Sequence, residues 1–150
     1  MGFQWIKQRD AMQCGVACLA MICRHYGSRL SLEYLDSLCS PSTDGVSLKG
    51  ISDTANVIGL QTKAVRLPVE SLALINLPCI LHWNQNHFVV LYKVGSRGDK
   101  FWIADPGKGK YCLSLQDLRR HWLTSTNESE KGIAMLFEPT DRLLKERDGA

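Results

Sequence analysis

Three side chains of complementary chemistry occur in order along the chain: Cys14, His87 and Asp105. A deprotonated thiol is a nucleophile, an imidazole can carry its proton near neutral pH, and a carboxylate can hold that imidazole in one tautomer. Cys14 stands where a loop meets an amphipathic helix, in the stretch Gln8-Arg9-Asp10-Ala11-Met12-Gln13-Cys14-Gly15-Val16-Ala17-Cys18. Unpaired backbone N–H groups and the positive end of the helix dipole gather there and favour a thiolate. The ordered triple predicts a cysteine hydrolase. Cys14 attacks a carbonyl carbon, His87 takes up the thiol proton and later protonates the leaving amine, and Asp105 orients His87.

The developing oxyanion needs donors. The Cys14 backbone N–H is one, the upstream side-chain amide of Gln8 is the natural second, and Gln13 is an alternative unless it caps the helix. Three other histidines compete for the role of base. His25 lies near the far end of the Cys14 helix, about 16 Å away at 1.5 Å per residue, which excludes it. His82 falls within an apolar strand and is expected to be packed. His121 has only Asp117 nearby, at helical spacing, where an exposed pair is expected. Trp83 and Trp102 flank the site as cleft walls or as core.

The elements that must position these groups follow from periodicity. Residues 14–26 repeat Val16, Leu19, Ala20, Cys23 and Tyr26 at helical spacing before Gly27. Ser31 opens a second helix through Leu32, Leu35 and Leu38, ending near Ser40-Pro41. A third helix starts near Ser47, uses Leu48, Ile51, Ala55 and Ile58, and stops at Gly59. Strand character follows over 60–67, then a short helix over 68–75 with Pro68 in its first turn. Strands are predicted over 79–83, 87–94 and 101–104, with a turn at 96–99. Gly107-Lys108-Gly109-Lys110 turns the chain again, Ser114 caps a short helix to Trp122, and 132–137 forms a last strand.

His87 opens one strand of the predicted hairpin and Asp105 closes the other. Because 87 and 105 are both odd, a loop centred near Ser96 puts them opposite or diagonal on one face. An even-length loop without a bulge puts them on opposite faces. Helices first and antiparallel strands second make an α+β fold.

At 150 residues the chain is long enough for one domain with a real core. Its 45% hydrophobic and 22% charged residues are ordinary for a globular protein. A net charge of +3, with no block of five Lys or Arg, excludes nucleic acid as the expected partner. No apolar run approaches the roughly 20 residues of a membrane span, and there is no signal peptide, so a cytoplasmic protein is expected. The six cysteines, at 14, 18, 23, 39, 79 and 112, read as reduced thiols. All but Cys14 are expected in the core. Cys14, Cys18, Cys23 and His25 lie along one helix without a Cys-x-x-Cys knuckle, so no metal is expected and no cofactor is called for. The absence of a Walker A sequence argues against ATP hydrolysis by this chain. Residues 1–140 are expected to form the domain, and 141–150 a charged tail or linker.

The segment from Gln8 through Gln13-Cys14-Gly15-Val16-Ala17-Cys18-Leu19-Ala20-Met21-Ile22, with His25-Tyr26-Gly27, resembles the double-glycine leader peptidases. These are the papain-like peptidase domains of bacteriocin-exporting ATP-binding cassette transporters. His82-Trp83, His87-Phe88-Val89-Val90-Leu91 and Ile103-Ala104-Asp105-Pro106 are similar to that family's histidine and aspartate motifs, and the likeness runs from Gln4 to about Pro139. The resemblance implies a papain-like fold, a Cys14–His87–Asp105 triad and Gln8 in the oxyanion hole. It implies as substrate a precursor peptide cut after Gly-Gly, Gly-Ala or Gly-Ser, whose leader binds as an amphipathic helix in an apolar groove. A narrow cleft that closes on the backbone would reject side chains at the cut site. Gln13 departs from the Asp more usual before the cysteine, which bears on local capping. Family members usually continue into membrane helices and a nucleotide-binding domain, so an excised domain and a stand-alone version both fit. Two other readings stand beside this one: a non-catalytic leader-binding module feeding an exporter, and a papain-like hydrolase acting on another amide bond.

Overall fold

A computed structural model describes residues 2–10, 13–39, 47–84, 86–123 and 130–145. Three helices come first: α1 (Cys14–His25), α2 (Leu32–Leu38) and α3 (Leu48–Ile58). The strands are β1 (Leu60–Leu67), β2 (Cys79–Trp83), β3 (His87–Val94), β4 (Lys100–Asp105), β5 (Gly109–Ser114) and β6 (Gly132–Pro139). A fourth helix, α4 (Leu115–Trp122), sits between β5 and β6. The six strands form one antiparallel sheet in the order β1-β6-β2-β3-β4-β5. This is the α+β architecture expected.

Local chemistry explains the helix ends. Ser31, Ser47 and Ser114 are extended N-caps whose hydroxyls accept from Tyr34, Gly50 and Asp117 N–H. Gly59 closes α3 in the left-handed region at φ 105°, and a Cβ there would lie 2.4 Å from the Leu143 backbone, so glycine is required on both counts. The stop expected near Ser40-Pro41 lies outside the described residues. The segment 68–75 yields only a short 3-10 helix, Val69–Ala73, with Pro68 just ahead of it as N-cap.

The sheet has a core on each face, and alternation along the strands separates them. Ile80, Phe88, Val90, Ala104 and Met135 pack with α1, α2 and α3, while Leu81, Val89, Leu91, Ile103 and Ala134 pack with Leu118 and Trp122 of α4. That is why β2 and β3 read as continuous apolar runs. α1 is buried from Cys14 through Cys23 and forms the spine of the first core.

Three expectations are corrected. Residues 109–114 form a full edge strand, where only a turn was expected. Its side chains alternate in exposure, with Tyr111 and Leu113 turned toward the second core. Cys112 falls on the opposite parity and is exposed, so it is no core residue. The third concerns the tail: residues 141–145 pack against the helices. Leu143 is buried in the first core, Leu144 N–H donates to Ile58 O at 2.9 Å, and Arg29 N–H donates to Lys145 O at 2.6 Å. Among the described residues no helix is long and apolar enough to cross a membrane.

Candidate active site

The turn end of the β3–β4 hairpin starts in the wrong parity for chemistry. Val94 pairs with Phe101 and Lys93 with Trp102. Continued straight, that register would set Asp105 against Val90 and leave His87 on the other face of the sheet. A bulge between Leu91 and Lys93 inserts one residue, Tyr92, and the pairing resumes as Leu91 with Ile103 and Val90 with Ala104. The inserted residue restores common parity, so His87 and Asp105 become diagonal neighbours. The loop is even, and the bulge compensates for it.

His87 Nε2 lies 2.8 Å from Asp105 Oδ1. Asp105 is 2% exposed and receives two more hydrogen bonds: Gly107 N–H donates to Oδ1 and Tyr111 Oη to Oδ2, each at 2.9 Å. Burial opposes ionisation of this carboxyl. The His87 bond, the Gly107 N–H, the imidazole charge and the Tyr111 bond overcome that and hold its pKa below the usual carboxylate range. Burial likewise pulls the His87 imidazole down, but hydrogen bonds to Asp105 and Cys14, reinforced by their charges, raise it to about 9. With Nε2 facing Asp105, Nδ1 is the nitrogen left for the thiol. The arrangement thus favours a charged imidazolium between a thiol sulfur and a carboxylate.

Cys14 is the first residue of α1 and 8% exposed. Among the described residues no side chain caps this helix, so its first-turn N–H groups remain available around the sulfur. Gln13 neither caps nor points to the site: its Oε1 accepts from Arg9 N–H at 3.0 Å. The other thiols of α1, Cys18 and Cys23, are buried and disfavoured as thiolates. Burial, with the charges of Cys14 and Asp105 adding to it, pushes Cys18 well up, and burial pushes Cys23 up to about 12.

The strap of residues 2–10 is bound to the Asp105 turn. Trp5 Nε1 donates to Asp105 O at 2.7 Å and Gln8 N–H to Pro106 O at 3.0 Å. The Gln8 side chain lies beside Gly107. Its Nε2 donates to Asp10 O at 2.9 Å, and its Oε1 is buried with no hydrogen-bond partner among the described residues. One amide proton of Gln8 is thereby engaged and the second is left over.

The competing histidines are placed elsewhere. His25 ends α1 against Phe3 and Tyr26, and His82 packs on Phe88. His121 does not pair with Asp117, which faces Arg120 instead; its Nδ1 is 2.9 Å from Asn84 Oδ1 and its ring stacks on Trp83. Trp83 is a core residue under the site, whereas Trp102 lies on the hairpin beneath the Lys93 ammonium. Tyr111, Trp5 and the Gly107 N–H were not anticipated. The signal for Tyr111 was the alternation of 109–114 after a tight turn, which sets it diagonal to Asp105. Among the described residues no group of three or more His, Cys, Asp or Glu converges as a metal site.

Comparison with known proteins found a matching family, curated relatives and similar solved structures. Residues 2–134 match the family described as the Peptidase C39 family. The colicin V secretion/processing ATP-binding protein CvaB of Escherichia coli is 38% identical over 117 residues, 78% of this chain and 16% of that protein. The lactococcin-G-processing and transport ATP-binding protein LagD of Lactococcus lactis subsp. lactis is 38% identical over 123 residues, 78% of this chain and 17% of that protein. The chain therefore spans about a sixth of the length of these curated relatives. Among solved structures, a double-glycine-motif protease from an AMS/PCAT transporter in complex with leader peptide superposes with a TM-score of 0.80. It is 34% identical, with 91% of each chain covered. The Streptococcus ComA peptidase domain, 24% identical at TM-score 0.79 over 93% of this chain and all of that one, shares the fold.

Proposed function

The chain belongs to the Peptidase C39 family, and from that premise we propose that it is a cysteine endopeptidase that removes N-terminal leaders from bacteriocin or other ribosomal peptide precursors after a Gly-Gly-type pair. The observation that carries the reading is His87, bonded to the buried Asp105 through Nε2 and raised to about 9 with Cys14 as its other partner.

The chemistry balances with these groups alone. The Cys14 thiolate attacks the carbonyl carbon of the last leader residue, and the carbonyl oxygen becomes an oxyanion. Donors for it are the Cys14 backbone N–H and the remaining amide proton of Gln8; losing one such donor typically costs about 10²–10³ in rate. His87 gives its proton to the leaving amine, and a thioester is left on Cys14. Water then attacks the thioester, His87 takes a proton from it, and thiolate and leader carboxylate separate. Asp105 holds the imidazolium in the orientation both proton transfers need. The leader as a helix in an apolar groove, a cytoplasmic site of action and continuation into transporter membrane and nucleotide-binding domains belong to the same proposal.

Mass spectrometry of products from a panel of precursor peptides, with and without Gly-Gly, tests it. Cleavage after the pair is expected from the wild-type chain and none from Cys14→Ala, with leader binding retained. Equal turnover by Cys14→Ala refutes the nucleophile. Leader binding without any cleavage by the wild type points to a recruitment module, and cutting only at other amides to a different papain-like hydrolase.

A further inference from the structure

Three donors converge on the Asp105 carboxylate, and only His87 takes part in the proposed chemistry. Oδ1 is held from two sides, by His87 Nε2 and by Gly107 N–H. Oδ2 has the Tyr111 phenol at 2.9 Å. The phenol is the donor in that bond, and the Trp83 indole acts on the same group only as a minor lowering influence against the larger causes that raise its pKa. The single phenol proton is directed at Asp105. Trp83 is 2% exposed, packs in the second core beside Tyr111 and stacks on His121.

We propose that Tyr111 is a positioning residue for the hydrolysis, aiming the Asp105 carboxylate at His87 through its bond to Oδ2. The inference rests on the triad reading above and extends it by one residue. A carboxylate with both oxygens held cannot turn about its last torsion, so the Oδ1 lone pair stays on the imidazole. A phenylalanine would fill the same space and leave Oδ2 buried without a donor, an arrangement a carboxylate escapes by turning or by binding a proton. Either response withdraws support from the imidazolium. Tyr111 is suited to the task at any working pH. Burial first, then the Asp105 charge and bond, raise its own pKa above the usual phenol range, so it remains a donor.

The test is Tyr111→Phe, read first by NMR titration of His87, which needs no substrate. The imidazole, at about 9 in the wild type, is expected to fall by about one unit, tenfold in proton affinity. On a synthetic precursor peptide carrying a Gly-Gly site, kcat is expected to fall by up to about 100-fold with KM held within about twofold. In an Asp105→Asn background the same exchange is expected to cost nothing further, because both act through one carboxylate. A His87 titration that stays or moves upward overturns the inference, and so do additive losses. Should Asp105→Asn itself keep wild-type kcat, the triad reading falls and this inference with it. An impaired Asp105→Asn beside a Tyr111→Phe with unchanged kcat and titration removes this inference alone. Should Tyr111→Phe fail to fold, Trp83→Phe, which removes the indole N–H beside the phenol and shrinks the buried ring, is expected to move His87 in the same direction by less. An unmoved His87 in that variant is equally fatal.

Discussion

Asp105→Asn separates charge from shape at the base of the site. The amide keeps the size of the carboxylate but removes its charge and one of its two acceptor oxygens, while three donors still face it. His87 stands at about 9 against an ordinary 6.5, roughly 3 kcal/mol of preference for the imidazolium, shared between Asp105 and Cys14. Burial works against that preference, so without Asp105 the imidazole is expected to fall toward 6.5, with Cys14 holding part of the rise. At pH 8 a group of pKa 9 is about nine-tenths protonated and one of pKa 6.5 about one-thirtieth. Loss of the charged acid alone then lowers the rate by up to about 30-fold at pH 8 and less than about twofold at pH 6. Any loss that persists at pH 6 measures misorientation. The assay is kcat/KM on one Gly-Gly precursor from pH 5 to 10, with thermal unfolding to confirm the fold. An alkaline limb that stays near 9, or a loss equal at pH 6 and pH 8, refutes the reasoning.

Three further outcomes follow from the same contacts. Gly132→Ala would place a Cβ 2.2 Å from Cε2 of the buried Trp122, whose indole N–H is bonded to Ile133 O. An unfolding free energy lowered by about 1–3 kcal/mol, read from a lower urea midpoint, is expected, and an unchanged midpoint contradicts the packing. His87 contributes stability that is complete below its ordinary pKa of about 6.5 and is lost as pH rises through about 9. Asp105, with its lowered pKa, contributes stability that is complete above the ordinary carboxylate value and is lost as pH falls through its own. Thermal unfolding of His87→Gln across pH 6–10 should therefore show a flatter alkaline slope than the wild type, and equal slopes remove the His87 term. Cys112→Ser is expected to leave cleavage unchanged and to abolish one fast alkylation by iodoacetamide, since that thiol is exposed on an edge strand. Slow alkylation of wild-type Cys112 contradicts the register of β5.

The helical third was legible because its punctuation is local. Ser31, Ser47 and Gly59 act within a few residues of themselves, and the structure has them as cap, cap and left-handed stop. β5 was not legible because Lys110, Cys112 and Ser114 share a strand with Tyr111 and Leu113, and the glycines at 107 and 109 mask an alternation of only six residues. Gln13 looked like a cap by position, but its amide is drawn to Arg9 N–H across four residues, a bond no spacing rule anticipates. The charged stretch after Thr140 concealed Leu143, whose burial depends on the slot beside Gly59.

The sequence by itself determined which side chains are candidates for chemistry, their order and the strands that carry two of them, because residue type and period are written in the chain. It left the face of the hairpin undecided, since parity depends on a bulge at Tyr92 that packing sets and composition does not. Only the folded molecule decided that the His87 imidazole lies against the Asp105 carboxylate, with Cys14 among the causes of its raised pKa. It also decided that Asp105 is buried with Gly107 and Tyr111 at its oxygens, and that the Trp5–Gln8 strap closes on the same turn. The strap contacts join residues about 100 positions apart. Distances of that kind are fixed by how a sheet twists and how a buried helix seats on it, which no local pattern encodes.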